Sequence, residues 1–371
     1  MKRRVEIGIL YSRSGNYRLV SDACRAGALS AIADINADPS SPIAFAPVEY
    51  DPQGNADGYA SGCAEILQGS SARHIIGCVT SWSRKEVIPV LERFGGTLWY
   101  ACPYEGFETS DHVVYMHACP NQQLLPLFSH VVPRFGADVF LLGSNYIWGW
   151  EMNRVARDLI ADAGGEVRGE RYLPLGETEV ARLIEEIRAT RPDFVFNNLI
   201  GSSSYAFLKA YAELGREDEH FLPHHCPVVS CNLTECELEA IGEAGNGHLS
   251  AGPYFHEAGS GHRHRSSFEA AAYASVRVLA EILRHNPEAK WADLPGAFAS
   301  RRFETPFGTT VIDTRTQHAT LPVVIGEIEG GGFRVISREG GVAPDPYLSR
   351  YDRNLQFGTA RLRVVPGGAE R

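Results

Sequence analysis

The sequence predicts an α/β protein built from two units of parallel β-sheet, each covered by helices, that follow one another along the chain. Strand-like and helix-like segments alternate with short connections, and the alternation restarts after about residue 119. The length of 371 residues also corresponds to about two domains. Because alternating strands and helices form parallel sheets with helices on both faces, we expect two such layered units.

The first predicted unit begins close to the N-terminus. Val5, Ile7 and Ile9 alternate with other residues as in a half-buried strand, and residues 19–36 carry an apolar stripe at helical spacing. The segments that follow are predicted as strand 43–49, helix 55–68, strand 74–78, helix 84–94, strand 97–100 and strand 113–116.

The second predicted unit repeats the same alternation and is followed by a region of different character. Its segments are helix 124–135, strand 138–143, helix 148–163, strand 166–173, helix 177–190, strand 194–200, helix 205–214 and strand 228–229. A long helix over 266–285 then precedes strands 308–312, 321–328 and 332–336, which we expect to be antiparallel.

Composition and charge narrow the class of protein. Lys and Arg number 35 against 45 Asp and Glu, so 35 − 45 gives a net charge of −10, which argues against direct binding to nucleic acid. The longest uncharged stretch, 113–133, contains Pro120, Pro126 and polar residues, so we expect no membrane span. The basic residues 2–4 are not followed by the apolar run of a signal peptide. Together with eight cysteines that form no CxxC pair, this predicts a cytoplasmic protein, or a periplasmic one if a leader was removed.

No motif predicts catalysis, a cofactor or a metal. There is neither a GxxxxGK[ST] loop nor a GxGxxG after the first strand, and the run 201–205 lacks the second glycine of GxSxG. Two histidine-rich groups match no zinc spacing, and we expect them to be solvated or at an interface. Their members are His220, His224, His225 and Cys226, and His256, Glu257, His262 and His264.

The predicted strands end in hydroxyl, amide and aromatic side chains. In open α/β sheets, ligands bind beyond the carboxyl ends of the strands. No carboxylate directly follows any of these strand ends, which favours a small, neutral, hydrogen-bonding ligand. The candidate ligand-binding residues are Val79, Thr80, Ser81, Tyr100, Cys102, Pro103, Tyr146, Trp148, Ser202 and Asn232.

Several runs of residues along nearly the whole chain match a known family. The most specific are Gly77-Cys78-Val79-Thr80-Ser81, Tyr100-Ala101-Cys102-Pro103-Tyr104-Glu105-Gly106-Phe107-Glu108, Gly143-Ser144-Asn145-Tyr146-Ile147 and Ala343-Pro344-Asp345-Pro346-Tyr347. The chain thereby resembles the amide receptors that negatively regulate aliphatic amidase operons, which have the type I periplasmic-binding-protein fold. Related proteins include urea and short-chain amide receptors of ABC transporters and regulators of nitrile-hydratase clusters.

The resemblance implies two Rossmann-like lobes joined by a hinge that the chain crosses three times. The crossings are expected near Cys119, near Gly252 and between residues 310 and 330. Lobe 1 is then 1–119 plus 253–327, and lobe 2 is 120–252 plus 328–371. The ligand is expected in the cleft between them.

The resemblance also implies roles for single residues. Ser81 matches a serine that contacts the amide, Tyr100 and Pro103 match the same wall, and Tyr146 matches the opposing lobe. Where the amide receptors have tyrosine, threonine and tyrosine, this chain has Val79, Cys102 and Trp148. Val79 and Cys102 remove bulk or polarity, and Trp148 replaces a hydroxyl by an indole N–H that only donates, so we expect a larger or more apolar amide than acetamide.

The function implied is that of a small-amide sensor. It regulates an amidase or nitrile-hydratase operon through an RNA-binding antitermination partner, and an acidic surface suits docking of a basic partner. We also expect a homo-oligomer. The main alternative is the substrate-binding protein of a urea or short-chain amide ABC transporter, and an amide-hydrolysing enzyme is the third.

Overall fold

A computed structural model of the protein describes residues 2–257, 263–299 and 301–352. It contains a five-stranded sheet and a seven-stranded sheet in separate lobes, with helices packed on both. Central strands are buried along their whole length, as parallel strands covered on both faces must be. The α/β prediction is confirmed.

The first stretch of the chain builds the sheet of lobe 1. Its strands pair in parallel in the order β2-β1-β3-β4-β5. The elements are β1 (Arg3–Leu10), α1 (Arg18–Ala37), β2 (Ile43–Tyr50), α2 (Gly58–Gly69), β3 (His74–Gly77), α3 (Ser81–Phe94), β4 (Thr97–Tyr100) and β5 (Val113–Tyr115).

The second stretch builds most of lobe 2. Its elements are α4 (Leu124–Phe135), β6 (Val139–Ser144), α5 (Ile147–Asp162), β7 (Val167–Leu173), α6 (Ala181–Thr190), β8 (Phe194–Asn198), α7 (Ser202–Glu217), β9 (Val228–Ser230), α8 (Glu235–Ile241) and β10 (Leu249–Gly252). Short 3-10 turns lie at Pro120–Gln122, Glu219–Phe221 and Gly242–Gly245.

The third stretch returns to lobe 1 and then crosses back. It comprises α9 (Ser267–His285), a 3-10 turn at Trp291–Asp293, α10 (Leu294–Phe298), β11 (Phe303–Thr305), β12 (Gly308–Thr310), β13 (Leu321–Glu329) and β14 (Gly332–Val342). α9 packs on α1, and β11 with β12 forms a separate hairpin. The last two strands extend the second sheet, whose order is β14-β13-β10-β9-β8-β6-β7.

The pairing of β13 corrects the predicted lobe boundary. β13 runs antiparallel to β10, with Leu249 opposite Glu327 and Gly252 opposite Val324, so residues 321–327 belong to lobe 2. Ala319 still bridges to Ile312, which places the third crossing just before Leu321 and not after residue 327.

Two crossings of the hinge are held together by one side chain. The Gln122 amide nitrogen donates to the carbonyl oxygens of Ala319 at 3.0 Å and Val342 at 2.8 Å. Its amide oxygen accepts from the Cys119 backbone N–H at 3.1 Å. Each lobe has its own hydrophobic core. None of the helices in the described ranges is long and apolar enough to cross a membrane.

Gly27 allows α1 to lie close to α9. A substitution at Gly27 therefore tests the packing of these two helices. A Cβ atom at Gly27 would lie 2.1 Å from the carbonyl oxygen of Glu269, so Gly27→Ala must push the helices apart. We expect its free energy of unfolding in urea to fall by about 1–3 kcal/mol.

The matched control is Gly69→Ala, because nothing lies within 4 Å of a Cβ atom there. Alanine at this helical position should leave stability unchanged or raise it by up to about 1 kcal/mol. Equal effects of the two substitutions would contradict the packing described.

Candidate ligand-binding site

The cleft between the lobes is closed. Asn16, which follows β1 in lobe 1, meets Gly176 and Gly201 of lobe 2. A Cβ atom on Gly201 would lie 1.9 Å from the Asn16 carbonyl oxygen, so there is no space for a side chain. Gly201 also has a φ of 60°, a backbone conformation that favours glycine. Between the lobes lies a cavity of about 40 Å³, measured as the space open to the centre of a water molecule.

Nine of the ten predicted site residues lie together in the lining of this cavity. They are Val79, Thr80, Ser81, Tyr100, Cys102, Pro103, Tyr146, Trp148 and Asn232. The sequence analysis missed six further lining residues, namely Tyr17, Val20, Ile200, Gly201, Glu237 and Phe268. Ser202 does not line the cavity. Its hydroxyl lies 3.5 Å from the Asn16 side-chain oxygen, because Gly201 takes the wall position and Ser202 begins α7.

Ser81 is positioned by a buried ion pair behind the cavity wall. The Arg84 guanidinium lies 2.6 Å from a carboxylate oxygen of Glu105, and both side chains are almost fully buried. The Ser81 hydroxyl donates to the other Glu105 oxygen at 2.7 Å. Arg84 also lies over the rings of Tyr100 and Tyr104, at 5.0 and 4.7 Å from their centroids. Since its one hydrogen is used by Glu105, the Ser81 oxygen can only accept from a ligand.

The hydroxyls of two neighbouring residues, Tyr100 and Thr80, also form hydrogen bonds within the protein. The Tyr100 hydroxyl donates to the Val79 carbonyl oxygen at 2.8 Å, which leaves its oxygen as an acceptor. Burial raises the pKa of Tyr100, so the phenol keeps its proton. The Thr80 hydroxyl accepts from the Ser83 backbone N–H at 3.1 Å and caps α3, which therefore begins at Ser81 and not at residue 84. Thr80 therefore lines the cavity, but its side chain caps the N-terminus of α3.

Glu237 brings a carboxylate to the cavity that the sequence analysis did not expect. One of its oxygens accepts from the Tyr205 hydroxyl at 2.9 Å, and the other has no partner among the described residues. Burial raises the pKa of Glu237 to about 7, and the hydrogen bond from Tyr205 offsets this rise only in part. The pattern Thr234-x-x-Glu237 is a capping-box signature and could have predicted the start of α8.

Trp148 places a hydrogen-bond donor in the wall of the cavity, whereas the residues above place acceptors there. Its indole N–H is buried and has no acceptor in the part of the chain that the structure describes. An indole nitrogen can only donate, so a ligand must present an acceptor to it. Phe268, Val20 and Ile200 add apolar surface around these polar atoms.

The cavity therefore combines three acceptor oxygens, those of Ser81, Tyr100 and Glu237, with two buried groups that have no partner among the described residues. The Trp148 N–H can only donate, and the Tyr17 hydroxyl can donate or accept. A molecule with one carbonyl and one or more N–H groups matches this arrangement. A carboxylate does not, because the cavity lining contains no cation and Arg84 is already paired.

The predicted histidine groups are separate from this cavity. The rings of His224 and His225 lie 4.1 Å apart with a tilt of 50°, and His220 forms a hydrogen bond with the Pro192 carbonyl oxygen at 3.1 Å. His264 faces Glu269 at 3.6 Å in the chain that leads into α9, and His262 lies outside the described residues. In the described ranges, no three His, Cys, Asp or Glu side chains are grouped to hold a metal.

Fold and site together define a class: a two-lobed protein that binds a small molecule in the cleft between its lobes. The chain belongs to the periplasmic binding protein family, because the family's "periplasmic binding protein domain" matches residues 5–353. The predicted family is confirmed at this level, while the amide-receptor branch stays a prediction.

Solved structures share the fold over nearly the whole chain. A solute-binding protein of an ABC transporter from Rhodopseudomonas palustris HaA2, in complex with p-hydroxybenzoic acid, is 20% identical with a TM-score of 0.81. That match covers 94% of this chain and 100% of the other. A branched-chain amino acid transporter substrate-binding protein from Streptococcus pneumoniae, in complex with isoleucine, is 16% identical with a TM-score of 0.76. It covers 92% and 100% of the two chains. Both are proteins of transport systems, and at these identities the likeness shows the shared fold.

The buried ion pair predicts a large difference between two neighbouring glutamates. Glu105→Ala removes the close partner of the buried Arg84 and leaves only Glu108, whose carboxylate lies 3.8 Å from the Arg84 Nε, so we expect the free energy of unfolding to fall by about 3–5 kcal/mol. Glu108→Ala removes a partly exposed carboxylate that pairs with Lys85 and leaves the Arg84–Glu105 pair in place, so it should cost only about 1 kcal/mol. Urea denaturation of both variants measures the difference, and similar losses would contradict this role for Glu105.

Glu237 predicts a pH dependence of stability. Its pKa is about 7 in the folded protein against 4.5 as an ordinary glutamate, so the folded state holds the extra proton and stability falls as pH rises through this window. At pH 8, Glu237→Gln should therefore be more stable than the wild type by about 3 kcal/mol. Near pH 4 the two should melt together. Parallel curves from pH 4 to pH 8 would contradict a buried, ionising Glu237.

Proposed function

We propose that this protein binds a short neutral amide or urea-like molecule in the cavity between its lobes. The observation that supports this most strongly is the hydrogen-bonding character of the cavity. The hydroxyl hydrogens of Ser81 and Tyr100 are already donated to Glu105 and Val79. Both hydroxyl oxygens can therefore accept hydrogen bonds from N–H groups of the ligand. The Trp148 N–H then meets the carbonyl oxygen of the ligand.

The same features separate this cavity from one for carboxylic acids. The relatives above are solved with p-hydroxybenzoic acid and with isoleucine. In this chain a bound carboxylate would face the acceptor oxygens of Ser81 and Glu237 without a cation to neutralise it. Burying an unpaired charge is expensive, so such ligands should bind weakly here.

The size of the cavity favours a ligand such as acetamide or urea. The closed cleft leaves only about 40 Å³ open to the centre of a water molecule, so we expect a compact ligand in preference to an aromatic acid. Val79 and Cys102 alone favour a larger amide than acetamide. The rings of Trp148 and Phe268 on the other walls reduce the space and favour a smaller ligand. We therefore place the optimum at acetamide, urea or propionamide.

In the cell, we propose that the protein is the receptor of an ABC transporter and delivers this ligand to a membrane permease from the periplasm. The family and the solved relatives, which are transport proteins, support this role. Closure around a ligand gives the partner a surface made from both lobes, and a ligand shifts this equilibrium only by binding the closed state better.

A second function rests on a different observation. The run from Tyr100 to Glu108 resembles the amide receptors that regulate amidase operons, and it contains Glu105 of the ion pair behind the cavity. In this alternative the protein is a cytoplasmic sensor that acts on an RNA-binding antitermination partner. A gene deletion distinguishes the two, because it abolishes uptake of labelled amide in one case and amide-dependent induction of an amidase in the other.

Calorimetric titration tests the ligand class. Acetamide, urea and propionamide should bind, whereas acetate, p-hydroxybenzoate and isoleucine should bind at least about tenfold more weakly because they bury an unpaired charge. Trp148→Phe should weaken amide binding about five- to tenfold through the lost N–H donor. Trp150→Phe, at an exposed position on the same helix, should leave it unchanged. Tightest binding by a carboxylate would overturn the proposal.

The affinity for an amide should also depend on pH. If the ligand N–H bonds the ionised form of Glu237, binding lowers the pKa of this carboxyl from about 7 and strengthens as pH rises. Between pH 6 and pH 8 the dissociation constant of acetamide should fall several-fold, up to about tenfold. Glu237→Gln should show a flat profile, and an equally steep one in this variant would contradict the contact.

A further inference from the structure

Two cysteines that are distant in sequence meet behind the ligand cavity. The sulfur atoms of Cys24 and Cys102 are 3.8 Å apart, and both side chains are buried. Cys24 lies on α1, and Cys102 lies two residues after the end of β4. They belong to the hydrophobic core of lobe 1, and the Cys102 thiol also lies 3.7 Å from the Cys78 carbonyl oxygen, its hydrogen-bond acceptor.

The pair lies within one lobe, so opening of the cleft does not separate it. Both α1 and β4 belong to lobe 1 and share its hydrophobic core. A disulfide bond needs the two sulfurs to approach to about 2 Å, a shift of less than about 2 Å from the present contact.

One member of the pair is reachable from the ligand cavity. Cys102 lines the cavity, whereas Cys24 lies behind it and is completely buried. A small oxidant that enters the open cleft therefore meets the Cys102 sulfur first. Burial raises the pKa of Cys102, so the reaction should be slow at neutral pH and faster in alkaline buffer.

We propose that Cys24 and Cys102 are a disulfide-forming pair in the wall of the ligand cavity. With diamide as the oxidant, the Cys102 thiolate adds to the N=N bond and forms a sulfur–nitrogen bond. The Cys24 sulfur then attacks the Cys102 sulfur, the disulfide forms, and the reduced hydrazine leaves. Two thiol hydrogens and two electrons pass to the oxidant, which balances the step.

Oxidation and ligand binding are then coupled. Joining the sulfurs draws that of Cys102 toward Cys24 and alters the cavity wall, so the ligand affinity of the two forms differs. Linkage requires the reverse effect as well: a ligand in the cavity changes how readily the pair oxidises. An occupied, closed cavity also blocks the path of the oxidant.

The experiment is oxidation of the folded full-length protein with diamide, followed by alkylation of the remaining thiols and mass spectrometry of the peptides. We expect one cross-linked pair, Cys24 with Cys102, and a rise of several degrees in melting temperature because the link closes a long loop. Cys24→Ser should abolish both effects. Cys231→Ser, at a buried thiol of lobe 2, should abolish neither.

Three results would overturn the proposal: full alkylation of both cysteines after oxidation, a different cross-linked pair, or a cross-link that forms only in urea. The cross-link is detected without any ligand, so its failure leaves the amide proposal untouched. Repeating the oxidation with acetamide or urea at saturation should slow it several-fold. An unchanged rate of oxidation when the cavity is fully occupied by ligand would contradict the coupling between oxidation and ligand binding.

Discussion

The ion pair between Arg84 and Glu105 is the interaction on which the rest of the site depends. Two opposite charges this deeply buried are tolerated only because they satisfy each other and their neighbours. The pair joins the start of α3 to the loop after β4, and these two segments form the lobe 1 wall of the cavity. Through Glu105 it also fixes the direction of the Ser81 hydroxyl. A charge pair outside the cavity thereby sets the hydrogen-bonding character inside it.

The same architecture surrounds different ligands in other proteins, which are solved with p-hydroxybenzoic acid and with isoleucine. In this chain it surrounds a cavity of acceptor oxygens with two unpartnered groups that can donate, the Trp148 N–H and the Tyr17 hydroxyl. The selectivity comes from a few side chains at the strand ends and not from the fold. Close contact between Asn16 and Gly201 excludes solvent from these groups, which makes each unpaired polar atom more costly.

The sequence was sufficient for elements whose pattern is local. The helix predicted over 124–135 and the strand over 97–100 have the bounds observed, because an amphipathic stripe and a fully apolar run identify them. The partner of β13 was not predictable, since its pairing with β10 depends on contacts between distant segments. Short α8 was missed, and with it Glu237. The contact of Cys24 with Cys102 likewise joins two segments that are far apart in the sequence, α1 and the loop after β4.

The most direct test of the account is a crystal structure of the protein grown with saturating urea. We predict density in the cavity, with ligand nitrogen atoms within about 3.2 Å of the Ser81 and Glu237 oxygens and the carbonyl oxygen at a similar distance from the Trp148 indole nitrogen. The Ser81 hydroxyl should still point to Glu105. An empty cavity with urea bound elsewhere, or a carbonyl oxygen turned toward Ser81, would contradict the account.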